Sequence, residues 1–296
     1  HLFLVSVFIF PTLLLWYNNL WNTNENYSTK RVDYMIKLIA TDMDGTLLDE
    51  HGKLPSNFFE VLEKLNNKNV KFVVASGRPY PTLYENFKPY SDHIYYICDN
   101  GAYVVEDKGK SCIDIIKKDF VTAIIKACED IENIELILCG TKGAYHKPCS
   151  DDFLKEIDKY YIKKHVVEDL YSIDDDIFKI TLCDLSGASN NSNKVLNPLF
   201  GDEFMVVVAG EIWLDIMNKN VNKGAALEKI QNDENISYEE TMVFGDFYND
   251  IEMLGKAKFS FVMENANEDM KQYGNYIAKS NRNYGVIKAI EEYVLK

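Results

Sequence analysis

Positive charge is in short supply in this chain. Across 296 residues, 32 lysines and arginines stand against 46 aspartates and glutamates, a formal net charge of −14. That balance argues against a surface built for nucleic acid or for an anionic membrane. Phosphate binding survives it, provided that a cation or a local set of donors reverses the field where the phosphate sits. Paired cysteines are missing too. The six cysteines, at 98, 112, 128, 139, 149 and 183, include no Cys-x-x-Cys pair and no His/Cys ligand spacing, which points to reduced core thiols of a cytosolic protein and not to a disulfide frame or a zinc site. No internal repeat is visible.

A full membrane span is also lacking. The apolar stretch LFLVSVFIFPTLLLWY has 16 residues, broken by Ser6, Pro11 and Thr12, against the roughly 20 needed to cross a bilayer. As a signal or anchor segment it would want basic residues ahead of it, and none is there. The following NNLWNTNENYSTKR is Asn-rich and patternless, as in a tether or translated upstream sequence. We therefore expect Met35 to be the natural start and residues 1–34 to stand outside the fold.

What remains has the composition of a globular protein, 47% hydrophobic and 26% charged, and room for one large domain or two ordinary ones. From Met35, short apolar runs alternate with amphipathic helical stretches: residues 36–40, the helix SNFFEVLEKLNNKN, then KFVVAS. Parallel strands buried on both faces require that pattern, so this is a βαβ unit. HIYYIC (93–98), TMVFG (241–245) and KFSFVM (258–263), with helices over 223–232 and 249–257, extend the same sheet. A hairpin is expected over 102–106 and 111–116, turning at Asp107-Lys108-Gly109. The middle of the chain differs. IELILCG, GAYHK, DIFKITLCD and FMVVVAGEIWLDIM read as strands meeting partly through hairpins, interleaved with helices DFVTAIIKACEDI and DDFLKEIDKYY. This predicts an inserted α+β layer at 117–216 between two halves, 35–116 and 217–296, of a Rossmann-like α/β core.

The chemistry is expected where parallel strands end, because ligands of open α/β sheets sit beyond the carboxyl ends of the strands. Asp42 and Asp44 follow the first strand, Ser76 the second, Asp246 and Asp250 follow VFG, and Lys223 stands where the chain returns to the sheet. Four carboxylates in one crevice cannot all stay ionised without a cation, and Mg²⁺ with carboxylates and a substrate phosphate resolves that conflict. Residues i and i+2 of an extended segment point the same way, so Asp42 and Asp44 can face one substrate, with Gly45 freeing a sharp turn. One of them can attack phosphorus and the other can shuttle the proton. Asp246 and Asp250, four apart, would share a helix face.

DMDGTLLD, ASGRP, NKGAAL and GDFYND, in that order, resemble the four motifs of the haloacid dehalogenase superfamily. DNGAYV and FVMENANEDMK extend the likeness, from Met35 nearly to the end, to its Cof-type phosphatases. The resemblance implies a Mg²⁺-dependent phosphatase of small phosphorylated metabolites, sugar phosphates first, with the insert as a cap. By motif, Asp42 is the nucleophile and Asp44 the acid/base. Asp42, the Asp44 carbonyl and Asp246 hold the metal, and Asp250 braces it. Ser76, Gly77 and Lys223 hold the phosphate, assisted by Asn249. Phe247 departs from the small or polar residue common there, which touches only a neighbouring substrate contact. A phosphomutase or phosphotransferase on the same scaffold and a catalytically idle binding protein are the alternatives. Arg78 is either a surface ion-pair partner or faces the substrate or cap, and Asn100 is a turn residue or a substrate contact. Tyr145, His146, Lys179, Glu211 and Trp213 could line the lid, but such strand residues are more often packing or a solvated face.

Overall fold

The computed structural model describes residues 35–106 and 111–296, with the side chains of 111–113 left aside. The expected hairpin turn at Asp107-Lys108-Gly109 and the apolar N-terminal stretch lie outside these residues. Among them, no helix is long and apolar enough to cross a membrane.

The first strand, β1 (Leu38–Asp42), is buried along its whole length. Its alternation is two-sided: Leu38 and Ala40 enter one apolar cluster and Ile39 another, as a strand covered on both faces demands. The chain then passes through α1 (Phe58–Asn67), β2 (Lys71–Ala75), α2 (Tyr80–Phe87), β3 (Ile94–Cys98), β4 (Tyr103–Val105) and β5 (Ser111–Ile113). α1 forms because Phe58, Val61, Leu62 and Leu65 recur at helical spacing and bury one face. Burying each such side chain contributes about 1.5–3 kcal/mol.

The next segment builds a separate sheet. It comprises α3 (Lys118–Cys128), β6 (Ile134–Gly140), β7 (Gly143–His146), α4 (Asp151–Tyr160), β8 (Lys164–Val166), β9 (Ile177–Asp184), α5 (Ser192–Phe200), β10 (Phe204–Val208) and β11 (Trp213–Asn218). The chain then returns through α6 (Lys223–Glu234), β12 (Thr241–Gly245), α7 (Ile251–Leu254), β13 (Phe259–Met263), β14 (Tyr276–Ala278) and α8 (Gly285–Tyr293).

Eight strands form the first sheet in the order β14-β13-β12-β1-β2-β3-β4-β5. The six from β14 to β3 are parallel, and β4 and β5 are added antiparallel. α1 and α8 cover one face and α6 and α7 the other. The chain leaves β1 toward β2 and comes back on its other side at β12, so the order reverses at β1, the place where such sheets bind ligands. This is a Rossmann-like α/β fold.

The second sheet runs β10-β11-β9-β6-β7-β8 and is antiparallel except for β7 with β8. α3 and α5 bury Ile124, Ile125 and Leu196 against one face. The opposite face carries Ile137, Cys139 and Met217 under Ile157 of α4, and its cluster takes in Ala102 and Val221, which flank the two crossings between the sheets.

Candidate active site

Asp42 is the last residue of β1 and is 7% exposed. Behind it the chain makes one wide turn, closed by Leu48 N–H donating to the Met43 carbonyl at 2.8 Å. Gly45 sits in that turn at φ +83°, and a Cβ there would come 2.3 Å from Asp246 Oδ2. Only a glycine lets the turn lie this close to the acid that follows β12. Thr46 fixes the same acid from the other side, its hydroxyl donating to Asp246 Oδ1 at 2.8 Å.

Lys223 opens α6, whose first turn is capped by Asn222 Oδ1 accepting from Ala225 N–H at 2.7 Å. Its side chain is fully buried. The ammonium donates to Asp42 Oδ1 at 2.5 Å and to Asp250 Oδ1 at 2.7 Å. Asp250 turns its second oxygen to the backbone, accepting from Asp246 N–H at 3.0 Å and Phe247 N–H at 3.1 Å. The expected shared helix face of Asp246 and Asp250 is therefore replaced by a different geometry. Asp246 lies just past β12, the helix proper begins at Ile251, and Asp250 reaches back to clamp the loop that carries Asp246.

Oxygens of Asp42, Asp246 and Asp250 lie within 4.8 Å of one another. Burial pushes Asp42 up, Lys223 pulls it back, and Asp250 and Asp246 push it again, to about 8. Asp246, raised first by burial, stands at about 6. Carboxyls that resist ionisation together are what a small hard dication relieves, and oxygen ligands suit it, so this group could hold Mg²⁺. The Asp44 carboxylate is not part of the group. It is exposed and clasped by Arg78, Nε at 2.9 Å from one oxygen and Nη2 at 2.6 Å from the other. Arg78 thus makes an ion pair, as one reading expected, but with a site residue, so its side chain also faces the site.

Ser76 follows β2 and is buried; its N–H donates to Ile97 O at 2.8 Å and its hydroxyl accepts from Arg78 N–H at 3.1 Å. It does not cap α2, which starts at Tyr80 behind Pro79. Gly77 is exposed beside it, where a Cβ would stand 3.2 Å from the Asn100 side chain. Asn249 is exposed and donates to Asn100 Oδ1 at 3.0 Å. Asn100 joins the two motifs, a turn residue at φ +55° that also holds site residues. Thr46 and Asn265, whose amide donates to the Gly45 carbonyl at 2.8 Å, lie inside DMDGTLLD and FVMENANEDMK, but their partners in space leave no trace along the chain. A cavity of about 390 Å³, lined by Tyr80, Asp99, Tyr103, Tyr161 and Phe178 among others, lies between α2 and the second sheet, and none of Asp42, Asp44, Lys223 or Asp246 lines it.

Comparison with known proteins places this geometry. A family model described as haloacid dehalogenase-like hydrolase matches residues 39–290. The 5-amino-6-(5-phospho-D-ribitylamino)uracil phosphatase of Escherichia coli K12 is 33% identical over 264 residues, covering 88% of this chain and 97% of that protein. A crystal structure from Streptococcus mutans UA159 superposes with a TM-score of 0.76 at 31% identity, covering 88% of this chain and all of that one. One from Thermotoga maritima gives 0.80 at 25%, covering 87% and 97%. The chain belongs to the haloacid dehalogenase-like hydrolases, in their Cof-type branch, and it is a phosphatase.

Proposed function

We propose that the protein is a Mg²⁺-dependent phosphomonoesterase that carries the phosphoryl group on Asp42. The observation that carries this reading is the convergence of one buried ammonium and three carboxylates at the ends of β1, β12 and the start of α6. Bound there, the cation would neutralise phosphate oxygens and hold them against Asp42. Asp42 attacks phosphorus, forming a P–O bond to its carboxylate as the ester P–O bond breaks. Asp44 gives its proton to the departing oxygen and then takes one from water, which attacks the phosphoaspartate and returns Asp42. The clasp of Arg78 has to open first, since both Asp44 oxygens are engaged in it. Lys223, Ser76, Gly77 and Asn249 supply donors for the phosphate oxygens.

In this reading residues 117–216 form a cap over a core of 35–116 and 217–296, excluding water and selecting the leaving group. Five described cysteines that are all free suit a reducing cytosol. Sugar and polyol phosphates are the proposed substrates. The E. coli relative and one from Bacillus subtilis, 26% identical, are both named for a ribityl phosphate ester of a uracil, which makes that compound the first to try.

The test is phosphate release from a panel of metabolites containing that ester, hexose phosphates and pyridoxal phosphate, with and without Mg²⁺, for wild type and Asp42→Asn. Turnover by Asp42→Asn at the wild-type rate would overturn the nucleophile. An isomerised sugar phosphate in place of free phosphate would make the protein a phosphomutase.

A further inference from the structure

Two lysines are buried among the described residues. Lys223 belongs to the site above. The other, Lys179, has no part in that chemistry. It sits in β9, on the second sheet, yet its ammonium pairs with Asp99, which follows β3 in the first; the side chains are 4% and 2% exposed. Tyr161 lies 5.8 Å from the ammonium across its ring face, and Asp215 of the same sheet is held at 2.7 Å by Thr181. Burial opposes the charge of Lys179, but Asp99, Tyr161 and Asp215 outweigh it and hold its pKa well above the ordinary lysine range.

Asp99 begins an unusual loop. Asp99, Asn100 and Gly101 stand in succession at φ +49°, +55° and +108°, a conformation that L residues adopt only where their surroundings impose it. The loop touches the phosphate-binding motifs at several points. Asp99 N–H donates to the Arg78 carbonyl at 3.1 Å, Asn100 N–H to the Ser76 carbonyl at 3.0 Å, and Asn100 Oδ1 accepts from Asn249. Gly77 has the Asn100 side chain against it. Whatever fixes Asp99 thus bears on Ser76, on Gly77 and Arg78 after it, and on Asn249.

We propose that Lys179 is a positioning residue: by neutralising Asp99 when the second sheet is seated on the first, it locks the 99–101 loop and so sets the phosphate-binding residues Ser76, Gly77 and Asn249. The inference rests on the phosphatase reading and deepens it. The site is complete only when the second sheet delivers its ammonium, so phosphate affinity follows the seating of that unit. A cation leaving with the sheet would strand a buried carboxylate, which makes the loop responsive to it.

The experiment compares wild type with Lys179→Met, Asp99→Asn and the double variant, in which neither member of the pair stands as a lone buried charge. Hydrogen exchange is followed in peptides covering 97–102, with 38–42 and 241–245 as internal references. Inorganic phosphate binding is measured by calorimetry with Mg²⁺ present. We expect exchange over 97–102 to quicken at least tenfold, the reference strands to stay unchanged, and phosphate to bind at least tenfold more weakly, in the double variant as in the singles. Lys179→Arg restores both readouts in part. Unchanged exchange in the folded double variant overturns the loop-locking role, and faster exchange with unchanged phosphate affinity overturns its link to the site. Wild type that binds no phosphate overturns the phosphatase reading instead, while the exchange result still decides whether Lys179 holds the loop.

Discussion

Lys223 donates to Asp42 and Asp250 at once, 2.5 and 2.7 Å away, from a position where no part of it meets water. One ammonium therefore stabilises two acids that come from different strand ends. Taking it away leaves them to repel in a poorly solvated pocket. Lys223→Met is expected to lower kcat/KM by ~10²–10³-fold, the usual scale for losing one electrostatic stabiliser. It should also lower the melting temperature, since breaking a buried pair costs about 3–5 kcal/mol. Steady-state kinetics and calorimetry on the same preparation check both. Undiminished turnover would remove Lys223 from the site.

The pH dependence follows from the raised carboxyls. Asp42 at about 8 and Asp246 at about 6 both lie above their ordinary 3.8, so the metal-free fold holds more protons than the unfolded chain. Their contribution to stability is therefore full below about pH 4 and is lost as pH climbs through 6 and then 8. Metal binding has to expel those protons. Mg²⁺ should raise the melting temperature more at about pH 8.5 than at about pH 5.5, with chelation reversing it. A larger Mg²⁺ effect on the acid side would contradict this ordering.

Gly45→Ala tests the turn. The substitution meets both a left-handed φ and Asp246 Oδ2 at 2.3 Å. Asp246 has to move, and a displacement of about 1 Å at a reacting centre costs on the order of 10²-fold in rate. Mg²⁺ affinity should fall alongside kcat, measurable by titration calorimetry. An alanine variant with native Mg²⁺ affinity would show that the turn yields instead.

Asp44 and Arg78 separate by leaving group. In kcat/KM, which reads the phosphoryl transfer to Asp42, Asp44→Asn is expected to lose ~10²–10⁴-fold with alkyl phosphates, whose oxygen needs a proton, and far less with 4-nitrophenyl phosphate, while kcat falls for both because the same group takes the proton from water. Arg78→Met should shift stability by less than about 1 kcal/mol, because the pair is partly exposed and screened. Equal losses of Asp44→Asn in kcat/KM on both ester types would assign the leaving-group proton to another residue.

Much of this arrangement can be read along the chain, because strand alternation and turn glycines act over a few residues. β12 falls on the expected TMVFG and β6 on IELILCG, and Gly210 turns the β10–β11 hairpin at φ +137° where expected. Other elements leave little local trace. α5 runs through an Asn-rich stretch with Pro198 inside it, and the short edge strands β8 and β14 owe their form to neighbours. α7 is shorter than the helix expected over 249–257, since Asp250 draws its start into a tight turn and Gly255 caps its end. The partners of site residues were hidden for the same reason. Thr46 meets Asp246 across 200 positions, and Lys179 meets Asp99 across 80. From sequence Lys179 passes for a strand residue of a solvated face; only the packing of two sheets puts it in the interior.

The chain passes from the first sheet to the second near Asp114 and comes back near Asn218, and these two residues are hydrogen-bonded at 2.5 Å. The hundred or so positions between them leave and rejoin the first sheet at one closed seam. Lengthening, shortening or reshaping that excursion need not disturb the register of β1 with β2 or β12. Descendants of one ancestral chain could thus trade one set of metabolites for another while their reacting carboxylates stayed where they were.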